Sequence, residues 1–295
     1  MVNATGTLYV VATPIGNLED ITLRALRVLR EASLIAAEDT RVTRKLLSHY
    51  DIHTPLTSLH EHSPPARVEQ IVQRLQAGEN VALVTDAGTP TLSDPGGALI
   101  RRAREKGIAV VCVPGASAVT AAVSLAALPD GRFVFEGFPP RRAKERRVYL
   151  QSLQGERRAV VWFEAPHRLL DLLRDVLAVL GDRELFIARE LTKQFEEAHL
   201  ARVSEWLAHF ERLPPRGEFT LILWPQEEEP APPVADPLHL VEELVAQGIS
   251  EKEALREAAR RSGVPRRELY ARWVKREEGS DGASSSAAFC RTGRA

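Results

Sequence analysis

Short apolar runs alternate with segments of helical periodicity along the first part of the chain. These runs are typical of strands that are buried on both faces of a sheet, and they fall at residues 8–12, 34–37, 81–84 and 108–113. Between them, apolar positions recur at helical spacing, as at Ile21 and Ala25, and we expect Asp20 to cap that helix. A helix expected at residues 118–127 is apolar nearly all round, which predicts burial. The alternation predicts a first α/β domain, residues 1–128.

A second block with strand and helix patterns follows the turn at Pro129-Asp130-Gly131 and predicts a second α/β domain, residues 129–225. Its strand patterns fall at residues 132–137, 159–164, 184–188 and 219–223, and its helical patterns at 145–153, 167–180 and 204–210. An acidic, proline-rich stretch at 226–237 predicts a linker. Residues 238–278 show a helix-turn-helix-like pattern, and the Ser-, Ala- and Gly-rich residues 279–295 are expected to be disordered.

Three of the apolar runs end in turns that are rich in proline, glycine and hydroxyl side chains. The turns lie at residues 13–17, 85–97 and 114–118. Because parallel strands bring their carboxyl ends to one edge of a sheet, the turns together predict a pocket of backbone N–H groups and small side chains. Such a pocket suits a polar ligand with an adenosine or carboxylate group. Neither the G-x-G-x-x-G motif after the first strand nor a P-loop motif is present, which argues against the standard NAD and P-loop sites.

Composition and charge place few further limits on function. The chain of 295 residues has a formal net charge of -1, so any nucleic-acid-binding surface must be local. With only Cys112 and Cys290, the cysteines cannot build a metal cluster, and Cys112 lies in a strand pattern where we expect it to be buried. The histidines are irregularly spaced, and we predict no metal site. Without a signal-peptide pattern or an apolar run of membrane-spanning length, we expect a cytoplasmic protein.

A basic cluster follows Phe138-Pro139-Pro140 at the start of a predicted helix. Its members are Arg141, Arg142, Lys144, Arg146 and Arg147. Positive charge at a helix N-terminus opposes the helix dipole, which favours a phosphate-binding role over a merely solvated helix start.

Several motifs, in order along residues 6–224, resemble those of the small-subunit ribosomal RNA methyltransferases in the tetrapyrrole methylase superfamily. They include Tyr9 to Leu18, Glu38-Asp39-Thr40-Arg41, Asp86-Ala87-Gly88-Thr89-Pro90, Ser93-Asp94-Pro95-Gly96, Pro166-His167-Arg168, Arg189-Glu190-Leu191-Thr192-Lys193 and Gly217-Glu218. The resemblance implies two α/β domains of the tetrapyrrole-methylase type with the cofactor cleft between them. It also implies a homodimer that transfers a methyl group from S-adenosylmethionine to the ribose 2′-oxygen of a cytidine in 16S rRNA.

The resemblance also implies site residues. Those for the cofactor are Pro14, Asp86, Gly88, Pro114 and Ser117 from the first domain and Phe138, Phe163 and Gly217 from the second. We expect Asp86 to accept from the ammonium or ribose, and backbone N–H groups around Gly88 and Ser117 to donate to the carboxylate or adenine. RNA contacts are expected from Arg41, Arg141, Arg142, Lys144 and Arg168. Asp39 has the alternative role of capping the next helix.

Arg189, Glu190 and Lys193 directly follow a strand pattern, and the resemblance implies that they are catalytic. They could hold RNA phosphate and orient the ribose hydroxyl, and Glu190 or Lys193 could assist removal of its proton. A surface ion-pair cluster is the structural alternative.

Two other functions stay open from the sequence. A methylase of a tetrapyrrole precursor would share the fold and cofactor, but it would leave the basic cluster and the helical tail without a purpose. A non-catalytic RNA-binding assembly factor would have no need of the intact proline- and glycine-rich loops.

Overall fold

The computed structural model describes residues 5–225 and 236–284, with side chains up to residue 276. The chain divides into two compact units, Met1–Gln226 and Glu227–Ala295. The first unit contains two five-stranded sheets, and the described part of the second is helical.

The first sheet consists of five parallel strands. They are β1 (Thr7–Val11), β2 (Leu34–Ala37), β3 (Leu56–Ser58), β4 (Val81–Val84) and β5 (Ala109–Val113), in the spatial order β3-β2-β4-β1-β5. All four strands expected from the apolar runs are present, and β4, β1 and β5 are neighbours, so their carboxyl ends share one edge as predicted. The pattern analysis missed β3, which is short and only partly buried. Our expectation for Cys112 was wrong, because this side chain is exposed on β5, which forms the sheet edge.

Four helices connect these strands, and a fifth follows β5. They are α1 (Leu23–Glu31), α2 (Thr40–His49), α3 (Pro65–Gln76), α4 (Gly97–Glu105) and α5 (Ala118–Ala126). The predicted cap of α1 was wrong: the Thr22 hydroxyl accepts from the Ala25 N–H at 3.1 Å, because Asp20 lies in a preceding 3₁₀ turn. Asp39 caps α2, as its alternative role required.

The second sheet is mixed, with the order β6-β7-β10-β8-β9. Its strands are β6 (Phe133–Phe135), β7 (Ala159–Glu164), β8 (Glu184–Arg189), β9 (Glu197–Arg202) and β10 (Phe219–Leu223). Strands β6 and β7 pair in parallel, and the other pairs are antiparallel. The sequence analysis missed β9, because this edge strand is largely exposed and carries almost no apolar pattern.

Helix α5 joins the two sheets. Its buried residues Val119 and Ala122 share an apolar cluster with Val161 of β7 and Ile222 of β10. The predicted burial of this helix therefore holds for one face only: Val119, Ala122 and Ala126 are buried, because they pack toward the second sheet, whereas Thr120, Ser124 and Leu125 are exposed.

Helices α6 (Ala143–Ser152), α7 (Pro166–Leu180) and α8 (Val203–Arg212) pack on the second sheet around a core that includes Trp162. The separate C-terminal unit contains α9 (Pro237–Ala246), α10 (Glu251–Ser262) and α11 (Arg266–Ser284). Helix α11 continues into residues 279–284, which we had expected to be disordered; extending an established helix costs little per residue. The remaining tail and linker residues, 285–295 and 226–235, lie outside the described residues.

A buried ion pair fixes α6 to α7. The Arg146 guanidinium lies 2.6 Å from the Asp175 carboxylate, both side chains are about 95% buried, and Arg147 donates to the other carboxylate oxygen at 2.7 Å. Arg146 is therefore buried in the packing and Arg147, although exposed, is paired with Asp175, which corrects the interpretation of the basic cluster as a uniform phosphate-binding surface.

Replacing Asp175 with alanine should strongly destabilise the first unit. The substitution leaves Arg146 buried without its countercharge, which costs about 3–5 kcal/mol of unfolding free energy. Urea unfolding measures this loss. The matched control is Asp171→Ala, one turn earlier on the same helix and exposed, which should change stability by about 0.5 kcal/mol or less. Equal losses of stability in the two variants would show that the buried Arg146–Asp175 pair does not stabilise the packing of α6 against α7.

Candidate functional site

A cavity of about 380 Å³ lies between the two sheets of the first unit. Its walls include six of the eight residues expected at the cofactor site, namely Asp86, Gly88, Ser117, Phe138, Phe163 and Gly217. Pro14 and Pro114 are not among the lining residues. Instead, the neighbour of Pro14, Ile15, reaches the cavity, because the proline fixes the turn while the next side chain points inward.

The turns after β1 and β4 are joined by their backbones. The Thr13 N–H donates to the Gly88 carbonyl at 2.9 Å, and the Gly88 N–H donates to the Thr13 carbonyl at 3.0 Å. The Thr89 hydroxyl donates to the Ala116 carbonyl at 3.2 Å, which ties in the turn after β5. The Gly88 N–H is therefore engaged within the protein, and donation to a ligand stays a prediction for the other backbone N–H groups around Gly88.

The loop after β4 reaches the second domain in a constrained conformation. Thr91 and Ser93 have φ angles of 72° and 67°, which non-glycine residues rarely adopt. A Cβ atom at Gly137 would lie 2.8 Å from the Ser93 hydroxyl oxygen, so a glycine is required where the two loops meet. Such strain is typical of functional loops held in place by their surroundings.

Three carboxylates line one wall of the cavity: Glu38, Asp86 and Asp94. The Thr85 hydroxyl donates to Glu38 Oε2 at 2.7 Å, and the Asp39 N–H donates to Asp86 Oδ1 at 3.0 Å. Burial raises the pKa of Asp94 to about 6, and the negative charges of Glu38 and Asp86 add to the effect. Burial also raises the pKa of Asp86. Sequence analysis named only Asp86 for this wall, although Glu38 and Asp94 belong to the quoted motifs.

The opposite wall is aromatic and contains a buried acid. The Phe163 ring lies 5.7 Å from that of Phe138, which is half exposed at the rim of the cavity. Next to it, the fully buried Glu164 accepts from the Ala165 N–H at 2.9 Å through Oε1, whereas Oε2 has no partner within the described residues. Burial raises the pKa of Glu164. The sequence analysis missed this residue, because a single acid at the end of a strand carries no distinctive pattern.

Arg168 has a structural role, contrary to the expected RNA contact. Its side chain is only 14% exposed, lies 3.2 Å from the Glu164 carboxylate and donates to the Pro139 carbonyl. It therefore connects the cavity wall to the loop that carries Phe138. The other expected RNA-binding side chains are exposed, although Arg41 pairs with Asp39 and Arg142 with Glu145.

The 189–193 loop lies between the first-domain turn at Gly16 and the second-domain turn at Gly217. A Cβ atom at Gly16 would lie 2.5 Å from the Lys193 Cγ atom, and one at Gly217 would lie 2.6 Å from the Glu190 carboxyl group. Glu190 and Thr192 have φ angles of 51° and 64°. The loop is thus fixed in a strained conformation by both domains.

Each charged group in this loop has a partner of opposite charge. Lys193 Nζ lies 2.8 Å from Glu190 Oε1 and 3.1 Å from Glu218 Oε2, and Arg189 pairs with Glu197 at 3.1 Å. Burial alone would lower the pKa of Lys193, but the two carboxylates outweigh it and raise the pKa overall. Burial alone would raise the pKa of Glu190. Lys193 and the Glu218 N–H stabilise the charged carboxylate, so the pKa is lowered overall. Both groups are therefore charged at neutral pH.

Within the described part of the chain, no group of three or more His, Cys, Asp and Glu side chains is arranged to hold a metal ion. Over the same residues, no helix is long and apolar enough to span a membrane.

The pairing of a parallel sheet with a mixed sheet around a cavity is the architecture of a class of methyltransferases. Diphthine synthase has this fold, with a TM-score of 0.59 at 16% identity over 74% of this chain and 90% of its own. Uroporphyrin-III C-methyltransferase from Thermus thermophilus, solved with S-adenosyl homocysteine, has a TM-score of 0.52 at 20% identity, covering 74% of this chain and 97% of its own. The family model for tetrapyrrole (corrin/porphyrin) methylases matches residues 7–206.

The chain belongs to the tetrapyrrole methylase family, in the branch of its ribosomal RNA small subunit methyltransferase I relatives. A relative of that name from Pseudomonas aeruginosa is 46% identical over 278 residues, which cover 92% of this chain and 98% of the relative. Another, from Thermotoga maritima, is 51% identical over 218 residues, covering 74% of this chain and 98% of its own.

The close approach at Gly217 gives a prediction for the 189–193 loop. Gly217→Ala should lower the unfolding free energy by more than Gly107→Ala, because both residues have positive φ angles but only Gly217 has a neighbour, Glu190, in the way. Backbone strain alone should cost about 1–2 kcal/mol at Gly107. Chemical unfolding of the two variants measures the difference. Equal losses would contradict a tight contact between Gly217 and Glu190.

Proposed function

We propose that this chain methylates the ribosomal RNA of the small subunit, with S-adenosylmethionine as the methyl donor and the 2′-oxygen of a cytidine ribose as the acceptor. The main support is the cavity at the loops of β1, β4 and β5, because the motifs that resemble the family form its walls. Relatives that carry the corresponding name align over nearly the whole chain.

The cavity residues fit the chemical groups of S-adenosylmethionine. Its volume, about 380 Å³, falls in the usual range for small-molecule sites. Phe138 and Phe163 offer a surface for a flat adenine ring, and Asp86 can accept from a ribose hydroxyl or an ammonium group. The unpartnered Glu164 Oε2 supplies a second acceptor. When bound, the donor provides a methyl group on a positively charged sulfur.

Ser117 is the N-cap of α5 and makes no side-chain capping bond, and both Ser117 and Ala118 line the cavity. A helix N-terminus favours a carboxylate, through both its free N–H groups and its dipole. We assign this end of α5 to the carboxylate of the methyl donor. Gly217 and Gly88 contribute close approach of the backbone, whereas Pro14 and Pro114 shape their turns.

Lys193 and Glu190 position the acceptor in our proposal. A lysine with a raised pKa keeps its proton at neutral pH, and a carboxylate with a lowered pKa is a weak base, so neither is suited to removing the hydroxyl proton. The ammonium of Lys193 can instead hold a phosphate or ribose oxygen in line with the methyl group. Arg189, which is paired with Glu197, supports the same network.

The exposed cations before and at the start of α6 are proposed to contact RNA phosphate. Arg141 and Lys144 are exposed and have no carboxylate partner within the described residues, whereas Arg142 is exposed but paired with Glu145. Arg41 lies near the acidic wall and pairs with Asp39 at 2.6 Å. A nearly neutral chain needs such local positive charge to bind RNA.

We also propose that the protein acts as a homodimer in the cytoplasm, where its ribosomal substrate is made. Leu23 and Leu125 are exposed to 86% and 49%, which gives apolar surface outside the cavity for a second copy to cover.

Labelled S-adenosylmethionine, incubated with small subunits, free small-subunit rRNA and a tetrapyrrole precursor, tests the function. We expect label in the RNA of the subunits or in the free RNA, and at a ribose 2′-position of a cytidine after nuclease digestion. Label in the tetrapyrrole alone would support the small-molecule methylase instead. RNA binding without transfer or cofactor binding would support an assembly factor.

In that assay, Lys193→Met should lower the single-turnover rate by about 100-fold or more, since a misplaced acceptor loses in-line geometry. Calorimetric affinity for S-adenosylmethionine should change little. The control is Lys106→Met at the end of α4, an exposed lysine away from the cavity, which should transfer methyl at the wild-type rate. Wild-type transfer by the Lys193 variant would remove this loop from the active centre.

The double variant Arg141→Ala/Lys144→Ala should bind RNA more weakly and with a flatter salt dependence. Each phosphate contact that is lost should reduce the log–log salt slope by about 0.7–0.9. The control double variant, Arg101→Ala/Arg104→Ala on α4, removes the same charge from another exposed face. If both variants bind alike, the residues before α6 are an ordinary solvated helix start.

A further inference from the structure

The three carboxylates on the cavity wall differ in how their oxygens are used. Glu38 Oε2 accepts from the Thr85 hydroxyl at 2.7 Å and from the Asp86 N–H at 3.4 Å. Asp86 Oδ1 accepts from the Asp39 N–H at 3.0 Å. These donors each occupy one carboxylate oxygen of Glu38 and of Asp86 and hold it in place as a hydrogen-bond acceptor.

Asp94 is different, because the Thr85 hydroxyl that interacts with its carboxylate is shared with Glu38. That hydroxyl has a single proton, and its hydrogen bond to Glu38 Oε2 at 2.7 Å competes with a bond to Asp94. Asp94 lines the cavity at the end of the strained 85–96 loop, and Ser93 of that loop meets Gly137 of the second domain. The carboxylate therefore lies at the cavity, where an oxygen can accept a proton from a bound molecule.

An independent feature of the same cavity indicates that a ligand completes it. Glu164, on the facing domain, is fully buried, and its Oε2 atom has no partner among the described residues. Leaving a buried carboxylate oxygen without a donor is costly, so the site is built for a molecule that brings donors of its own.

We propose that Asp94 is the catalytic base that accepts the proton of the ribose hydroxyl during methyl transfer; this inference rests on the proposed function. The ribose oxygen forms a bond to the methyl carbon as the carbon–sulfur bond breaks, and the sulfur keeps the electron pair of that bond. The hydroxyl proton passes to an Asp94 carboxylate oxygen. The sulfur thereby loses its positive charge and Asp94 loses its negative charge, so the net charge is unchanged.

The electrostatics of the wall suit this role. The charged groups that act on Asp94 are the carboxylates of Glu38, at the end of β2, and Asp86, at the end of β4. Together with burial they raise the pKa of Asp94 to about 6. A base whose pKa lies just below the working pH is charged and ready, yet holds a proton better than an ordinary aspartate does.

Single-turnover methylation of small subunits by Asp94→Asn tests the proposal. The variant should be slower by about 10²–10⁴-fold, which is the usual contribution of a catalytic base to the reaction rate. The wild-type rate should rise tenfold per pH unit and level off near pH 6, and the variant should lack this dependence. Calorimetric affinity for S-adenosylmethionine should stay within about threefold. The matched control, Asp171→Asn on the exposed face of α7, should behave as wild type in all three measurements.

A stability measurement gives a readout that needs neither substrate nor cofactor. Because the folded protein raises the pKa of Asp94, its charge destabilises the fold at pH 8, and that penalty disappears as the pH falls through 6 towards 4. Asp94→Asn should therefore melt at a higher temperature than wild type at pH 8, with the difference vanishing near pH 4. Asp171→Asn should show no such trend.

Three results would overturn the proposal while leaving the proposed function intact. They are an unchanged rate in Asp94→Asn, retention of the wild-type pH dependence by that variant, or a large loss of cofactor affinity, which would make Asp94 a ligand for the methyl donor. A wild-type protein that labels no ribosomal RNA would overturn the function itself. The pH-dependent melting difference, measured without substrate, still reports whether Asp94 titrates near pH 6.

Discussion

The pair of backbone hydrogen bonds between Thr13 and Gly88 is the constraint on which the cavity depends. These bonds join the turn after β1 to the turn after β4, and Thr89 ties the turn after β5 to the same edge. The two hydrogen bonds, at 2.9 and 3.0 Å, have ordinary backbone geometry and fix the position of one turn relative to the other. The position of the wall that carries Asp86 and Asp94 therefore depends on contacts within the first sheet and its turns, and not on a bound ligand.

The second domain adds what a parallel sheet alone cannot supply. Helix α5 packs against β7 and β10, so the aromatic wall and Glu164 face the acidic wall across a narrow gap. The 189–193 loop is held from both sides, at Gly16 and at Gly217. Because α5 and Gly16 of the first domain contact the second domain, the geometry of the site depends on the packing of the two domains. The positive φ angles of Glu190 and Thr192 occur where the 189–193 loop is held from both sides.

Charge in the site is divided into two networks with different chemical consequences. Around Lys193, opposite charges face each other, which keeps the lysine protonated and the Glu190 carboxylate ionised. Around Asp94, like charges and burial act together, which raises the pKa into the range of a working base. The proposed division of labour between positioning and proton acceptance follows from this difference, since Lys193 is paired with carboxylates whereas Asp94 lies among other carboxylates.

The sequence by itself determined the strands of both sheets that have apolar patterns, the ligand-binding edge of the first sheet and most of the cavity lining. Periodicity and turn residues carry the information on strands and turns locally, whereas Asp86, Ser117 and Gly217 could be named in advance because their motifs resemble those of the family. Tertiary structure alone decided the roles of the charged residues. Arg146 and Arg168 look like phosphate-binding groups until the fold buries them against Asp175 and Glu164. A charged side chain has no preferred partner within its own segment, so its pKa, its availability and its function depend on which distant groups the packing brings beside it.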